Sequence, residues 1–297
     1  MYGFLNSLKN DFSRRIFSLT HQRDANLRMR IEEPKRRTVG APESYPLEGG
    51  GAVKEKNAGA GSFGMCERFY SSQYEEKNDE EAECIKIGRI YIKKTVRPDS
   101  EIPEEDQEYE KLDLLKKLKH RNIVEYVHID PENRTVTMKD TGFSLNEIRE
   151  TVRFSFYEDL YIYLEVLNGV KYLHDQGICH IDLNEDNITL QKDGTVKIID
   201  FGLAEDVSNR SGSNENKFWG DRYWLSENLR SLLERHFEIE KSGNPNEKKH
   251  YKLIEQIAPR DKELLPYSDL MRLKIELEKM SEFFPKWGSP DLPSNKT

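Results

Sequence analysis

Apolar positions along this chain follow two rhythms. Between 65 and 142 they come in short runs at strand spacing: MCERFYSSQY from Met65, IKIGRIYIKK from Ile85, VEYVHID from Val124 and TVTMKDTG from Thr135. The turn PENR joins the last two into a hairpin. Elsewhere the spacing is helical. Leu112, Leu115 and Leu118 share one face of a helix, and Leu160, Leu164, Leu167, Val170 and Leu173 mark a long buried helix from about Tyr157 to Gln176. Strand rhythm returns in ICHIDLNEDNITLQKDGTVKIIDFGLA, Ile178 to Ala204, where ITL and VKII flank the turn QKDG with Asp-Gly at its core.

That last hairpin carries the candidate chemistry. A hairpin brings its ends together, so Asn187 before the first strand and Asp200 after the second should lie close. Gly202 allows a tight turn behind them. An amide oxygen and a carboxylate converging there suit Mg²⁺ shared with substrate phosphates. Asp182 stands nearby as a candidate base. Further upstream, AGAGSFGMC places Gly59, Gly61 and Gly64 in a G-x-G-x-x-G pattern with Phe63 at its tip. Glycines in such a turn let backbone N–H groups approach phosphates closely. A dinucleotide-binding fold would need a helix directly afterwards, and this chain continues as strand.

Taken in order, these stretches resemble the eukaryotic protein kinase family. HIDLNEDN, His180 to Asn187, is similar to the catalytic loop H-R-D-L-x-x-x-N, and DFG at Asp200 to Gly202 to the metal-binding motif. The likeness runs from about Ala52 to Met280. It implies an α+β, two-lobed fold, with a small β-rich lobe, a larger mainly helical lobe and ATP in the cleft. It implies that Asp182 accepts the proton of the acceptor hydroxyl while Asn187 and Asp200 hold Mg²⁺. Gly59, Ala60, Gly61, Ser62, Phe63 and Gly64 would cover the phosphates, Cys66 would lie above the adenine, and Lys93 would contact the phosphates. The register could slip to Lys94, but alternation with Ile90 and Ile92 favours Lys93. Counting back from Leu145 gives Met138 as gatekeeper and Lys139, Asp140 and Thr141 as the hinge.

The same resemblance assigns supporting roles. Glu110 would pair with the lysine, since Lys111 occupies the slot usual for that Glu. His180, Phe201 and Gly202 would shape the catalytic loop and its neighbour. Leu203 to Trp219 would be an activation loop closed by Glu227 in YWLSE. The charged stretch to about Pro266 would be an insertion. YSDLMRLKIELEKM, from Tyr267, would be the central helix of the large lobe, with Asp269 bracing the catalytic loop. Little chain follows it, so the large lobe would be minimal or truncated.

Three departures shape the expected activity. Ile181 replaces the family's Arg, Tyr91 its usual Ala, and Asn184 the lysine of the Ser/Thr branch. The arginine-containing loop of the tyrosine branch is missing too, so transfer of the γ-phosphoryl of Mg-ATP to Ser or Thr hydroxyls of protein substrates is the expectation. Asn184 brings no cation to the transferring phosphoryl, yet it lies among the candidate catalytic residues. That keeps open a nucleotide-binding pseudokinase acting as scaffold or regulator. It also keeps open a small-molecule phosphotransferase, some of which have H-x-D-x-x-x-x-N without a lysine.

Composition narrows this picture a little. The 54 acidic residues exceed the 46 basic ones, and the net charge of -8 argues against a nucleic-acid partner. Cys66, Cys84 and Cys179 lack paired spacing, which fits a reducing, intracellular setting, cytoplasmic or nuclear. Residues 1–50 form a basic extension, with Phe4, Leu5, Leu8, Phe12, Ile16, Phe17 and Leu19 at roughly helical spacing. It reads as a membrane-surface helix, an organelle-targeting segment or a docking helix for a partner, or else as a helix packed on its own domain or a mobile tail. The small lobe is expected over 51–137 and the large one over 138–297.

Overall fold

The computed structural model describes residues 53–61, 64–71, 89–96, 108–115, 117–191, 193–259 and 264–284. The basic extension, Ser62 and Phe63 lie outside them, as does the acidic stretch between the second and third strands. The chain divides into two units.

The first unit is an antiparallel sheet of five strands in the order β1-β2-β3-β5-β4. Its strands are β1 (Val53–Gly61), β2 (Gly64–Ser71), β3 (Arg89–Val96), β4 (Tyr126–Asp130) and β5 (Thr135–Lys139). The glycine pattern lies at the tight end of the β1–β2 hairpin, where Gly59 faces Cys66 and Gly61 faces Gly64. The β4–β5 turn is made by PENR: the Asp130 carboxylate accepts from the Asn133 N–H at 3.1 Å and Nδ2 at 2.7 Å. A 3-10 turn, Glu108–Lys111, leads into the single helical turn α1 (Leu112–Leu115). Tyr109 and Leu115 are buried there.

The second unit comprises Leu118–Val124 and the chain from Thr141 onward. The division therefore comes after Asp140, three residues past the expected 137, because β5 stays in the sheet through Lys139. Here β6 (Phe143–Ser144), β8 (Ile188–Leu190) and β9 (Val196–Ile198) form a small sheet, and β7 (Ile178–Cys179) pairs with β10 (Glu205–Asp206). The helices are α2 (Leu145–Thr151), α3 (Phe156–Asp175), α4 (Asn214–Lys217), α5 (Trp219–Arg235), α6 (Ile239–Ser242), α7 (Pro245–Ile257) and α8 (Tyr267–Lys279).

Local sequence sets several of these starts. Ser144 with Glu147, Ser155 with Glu158, and Asn244 with Glu247 form capping boxes, and Pro245 occupies the first turn of α7. The five apolar residues that marked α3 are all buried. Each is worth about 1.5–3 kcal/mol in removed apolar surface. Gly169 lets α3 approach β9 closely: a Cβ there would meet the Ile198 Cδ1 at 2.8 Å. No helix among the described residues is long and apolar enough to cross a membrane.

The region after DFG differs from the sequence expectation. Leu203 to Trp219 is not one open loop; it contains β10 and α4. YWLSE lies inside α5. Residues 236–266 are not a bare insertion, for α6 and α7 are built from them. Helix α5 reaches the catalytic loop, with α6, α7 and α8 after it.

Candidate active site

The acid and amide residues of HIDLNEDN gather on one loop of the helical unit. Asn187 Nδ2 donates to the Asp182 main-chain oxygen at 2.8 Å and to Oδ2 at 2.9 Å. Asn184 Nδ2 lies 3.3 Å from Asp182 Oδ1. Two amides thus hold the two carboxylate oxygens of Asp182, which is partly exposed. Asn184 does a second job: its Oδ1 accepts the N–H groups of Asp186 at 2.9 Å and Asn187 at 3.0 Å, so it makes the turn itself.

The hairpin then brings in Asp200. The Ile199 N–H donates to the Asn187 carbonyl at 2.9 Å, which sets Asp200 beside Asn187. Because Asn187 Nδ2 is used twice on Asp182, its amide orientation is fixed. Its Oδ1 receives no donor from the described residues, and it is an oxygen of the kind a hard cation takes. With the Asp200 carboxylate it gives a sparse donor set that suits an Mg²⁺ ion keeping waters and phosphate oxygens. The residues fit the metal that the sequence implied.

The loop is strained and then braced. Ile181 has φ 69° and Asp200 φ 61°, left-handed values that are costly for residues with side chains, most of all for a β-branched one. The brace is Asp221 on α5, which is 0% exposed. Its Oδ1 accepts the Ile181 N–H at 2.8 Å. Its Oδ2 accepts the His180 N–H at 2.9 Å and His174 Nε2 at 2.9 Å. Burial opposes ionisation of Asp221, but His174 and the His180 N–H outweigh it and hold the carboxyl below its ordinary range. His180 donates Nε2–H to the Ile199 carbonyl at 3.0 Å and meets the buried ring of Phe201 edge-on. Gly202 N–H lies 3.4 Å from Asp200 Oδ1, a long contact.

Asp221 corrects the sequence assignment of Asp269. Asp269 sits in the first turn of α8, and the N–H groups of His180 and the strained Ile181 are held by Asp221 instead. Glu227 is corrected as well. It lies in mid-α5, in an i,i+3 ion pair with Arg230 at 2.6 Å. In this region the buried guanidinium of Arg222 pairs with the partly exposed Glu215 at 2.5 Å. Arg222 also donates through Nη2 to the Leu265 carbonyl at 2.8 Å, and Glu215 accepts the Tyr267 N–H at 2.8 Å.

A third correction concerns the lysine in the sheet unit. Directly opposed residues of an antiparallel ladder share a face. Lys94 opposes Cys66 on β2 and Val136 on β5, and Ile92 opposes Met138. Lys93 opposes Glu67 and Thr137. Cys66, Met138 and Lys94 therefore share one face, and Lys93 is on the other. Lys94 is 8% exposed, the position of a lysine held within structure. Alternation alone could not choose between the two; the partner strands do.

The remaining expected positions are placed without such a conflict. Glu110 lies in the 3-10 turn whose Tyr109 is buried. Lys139 is still in the β3–β5 ladder, its N–H donating to the Glu125 carbonyl at 3.1 Å and its Nζ pairing with Glu125 at 2.6 Å. Asp140 ends the sheet unit and the buried Thr141 begins the helical one.

One further tie was invisible in the sequence. Arg149 on α2 sits 2.9 Å from Glu185 of the catalytic loop and 2.6 Å from Asp159 on α3. Asn146 Nδ2 donates to Asp186 at 2.9 Å. Burial alone would raise the Asp159 carboxyl, but His236, Arg149 and Arg235 lower it below its ordinary value. These partners come from helices far apart in sequence, and no local pattern announces them.

Comparison with known proteins agrees with this geometry. The protein kinase domain family matches residues 53–235. The chain is 33% identical over 132 residues to "Mitogen-activated protein kinase pmk-1" of Caenorhabditis elegans, covering 41% of this chain and 35% of that protein. It is 29% identical over 155 residues to "Serine/threonine-protein kinase stk11" of Xenopus laevis, covering 50% and 33%. It is 32% identical over 174 residues to "Cytokinesis protein sepH" of Aspergillus terreus, covering 57% and 12%. The chain thus spans about a third or less of the length of these relatives.

Proposed function

Because the chain belongs to the protein kinase family, we propose that it transfers the γ-phosphoryl of Mg-ATP to Ser or Thr hydroxyls of protein substrates. The observation that carries this reading is the Asp182 carboxylate, held at both oxygens by Asn184 and Asn187 beside the Asp200 end of the hairpin. A carboxylate fixed in this way can take the proton of an attacking hydroxyl without reorienting first. The Ser/Thr preference rests on the printed names of relatives at modest identity and on the missing tyrosine-branch arginine.

Each remaining part has a residue to supply it. Asn187 Oδ1 and the Asp200 carboxylate would hold Mg²⁺, which neutralises charge on the phosphates. Backbone N–H groups of the glycine hairpin would bind phosphate oxygens. Lys94, on the face of Cys66 and Met138, would supply the cation in the sheet unit.

The test is transfer of labelled phosphate from ATP to a generic protein acceptor. Asp182→Asn keeps the shape and removes the base, so turnover should fall at least about 10²-fold. Unchanged turnover in Asp182→Asn would remove this reading. One observation favours a second reading, a nucleotide-binding pseudokinase: Asn184 puts an amide where a cation would face the phosphoryl group, and its oxygen is committed to the loop. ATP binding with no transfer to any acceptor would select it.

A further inference from the structure

The exposed large apolar side chains of the described residues are Ile181, Trp219, Tyr223, Phe237 and Ile275. Scattered exposure of this kind carries no meaning, but three of these residues are not scattered. Trp219 and Tyr223 stand one turn apart on α5, with ring centroids 5.6 Å apart and planes 23° from parallel. Between them Gly220 brings the helix against the catalytic loop: a Cβ there would lie 3.7 Å from the Ile181 Cα. Ile181 immediately precedes Asp182. Their exposures are 40% for Ile181, 57% for Trp219 and 41% for Tyr223.

Two costs are accepted at this place. Ile181 is a β-branched residue in a left-handed conformation, where Asn or Gly would be easier. It also leaves apolar surface in water. The stacked pair adds two aromatic faces with little conformational freedom to lose on binding. Through Ile181 this surface begins one residue from the candidate base.

We propose that Ile181, Trp219 and Tyr223 form a selectivity surface for the acceptor chain, favouring peptides with a large aliphatic or aromatic side chain within a few residues of the Ser or Thr. This rests on the kinase reading of Asp182 and names the substrate class of that site. The acceptor's apolar side chain lies on the Trp219–Tyr223 stack while its hydroxyl faces the Asp182 carboxylate.

The experiment uses the full chain and two peptides that differ at one position near a single serine, Leu in one and Gly in the other. Binding is read by fluorescence anisotropy and transfer by kcat/KM. Wild type should prefer the Leu peptide about tenfold in both readouts, a factor of the size expected for burying one large apolar side chain. Trp219→Ala and Tyr223→Ala should each lower the Leu/Gly ratio severalfold, whereas Phe237→Ala, an exposed apolar residue elsewhere, should leave it unchanged. Circular dichroism checks that the variants fold, and the partly exposed side chains make this a mild change. Equal binding of the two peptides to wild type overturns the proposal. So does a ratio that survives in both Trp219→Ala and Tyr223→Ala, or a self-association of the chain that Trp219→Ala abolishes. If binding shows the preference but no peptide is phosphorylated, the surface stands and the transfer reading fails.

Discussion

Replacing Asp221 should cost more stability than replacing any acid on the catalytic loop. The carboxylate is fully buried and accepts from the Ile181 N–H, the His180 N–H and His174 Nε2. Hydrogen bonds to a charged group contribute about 1.5–3 kcal/mol each, but removing Asp also removes the burial cost of its charge. The net loss for Asp221→Ala should be about 3–5 kcal/mol, the usual cost of breaking a buried charged pair. That is a large share of a total near 5–15 kcal/mol. It also frees a left-handed Ile181 whose strain is about 1–3 kcal/mol, so the catalytic loop should relax to another shape. Asp221→Asn is the finer instrument. Its oxygen can keep the Oδ2 position and two donors, but its NH₂ then meets the Ile181 N–H. It should cost about half as much, roughly 2 kcal/mol, and still depress activity through the displaced Asp182.

The assay is urea unfolding followed by circular dichroism. Two transitions are fitted, because the chain has two units, and the later-chain helical unit is the one compared. Asp269→Ala, at a partly exposed acid in the first turn of α8, is the control and should change stability by about 1 kcal/mol or less. The pH dependence has a definite sign. The Asp221 carboxyl is lowered in the folded state, so its contribution is full above the ordinary carboxylate range and is lost as pH falls through the folded value. The difference between wild type and Asp221→Asn should therefore shrink in acid. Equal destabilisation by Asp221→Ala and Asp269→Ala would refute the reasoning, as would a difference that grows in acid.

Other outcomes are as definite. Lys94→Met should reduce transfer about 10²-fold or more, the cost of one donor to the phosphates, and Lys93→Met far less; a larger effect at Lys93 in initial-rate assays would show the β3 face to be wrongly assigned. Asn184→Lys should lower kcat, because the two N–H groups capped by Asn184 Oδ1 lose their acceptor at about 1 kcal/mol each; a higher kcat would mean that charge at this position outweighs the turn. Phosphatase treatment, checked by mass spectrometry, should not change initial rates by as much as tenfold, since the Ile181 side chain offers no donor, Arg222 is occupied by Glu215 and the Leu265 carbonyl, and Arg210 pairs with Glu205; a greater loss, restored by rephosphorylation, would point to Arg210 exchanging Glu205 for the phosphate.

What the chain spells locally was legible from sequence. The Asp-Gly turn between two short apolar runs specifies a hairpin, and a hairpin necessarily brings Asn187 toward Asp200. The apolar spacing of α3 and the glycine hairpin ending at Gly64 are equally local, because each depends on turn chemistry or a repeat within a few residues. Asp221 and Lys94 were not legible. Asp221 lies 40 positions from its donor Ile181 and 47 from His174, and only packing of α5 against the catalytic loop makes it the brace rather than Asp269. Lys93 and Lys94 have the same side chain on adjacent positions, and alternation says only that they face opposite ways. Pairing with Cys66 on one side and Val136 on the other chooses which way each one faces. The sequence by itself determined the hairpins, the capped helices and the kind of chemistry. Long-range pairing and burial decided which acid braces the loop and which face each lysine lies on, because those outcomes depend on neighbours that only the folded chain brings near.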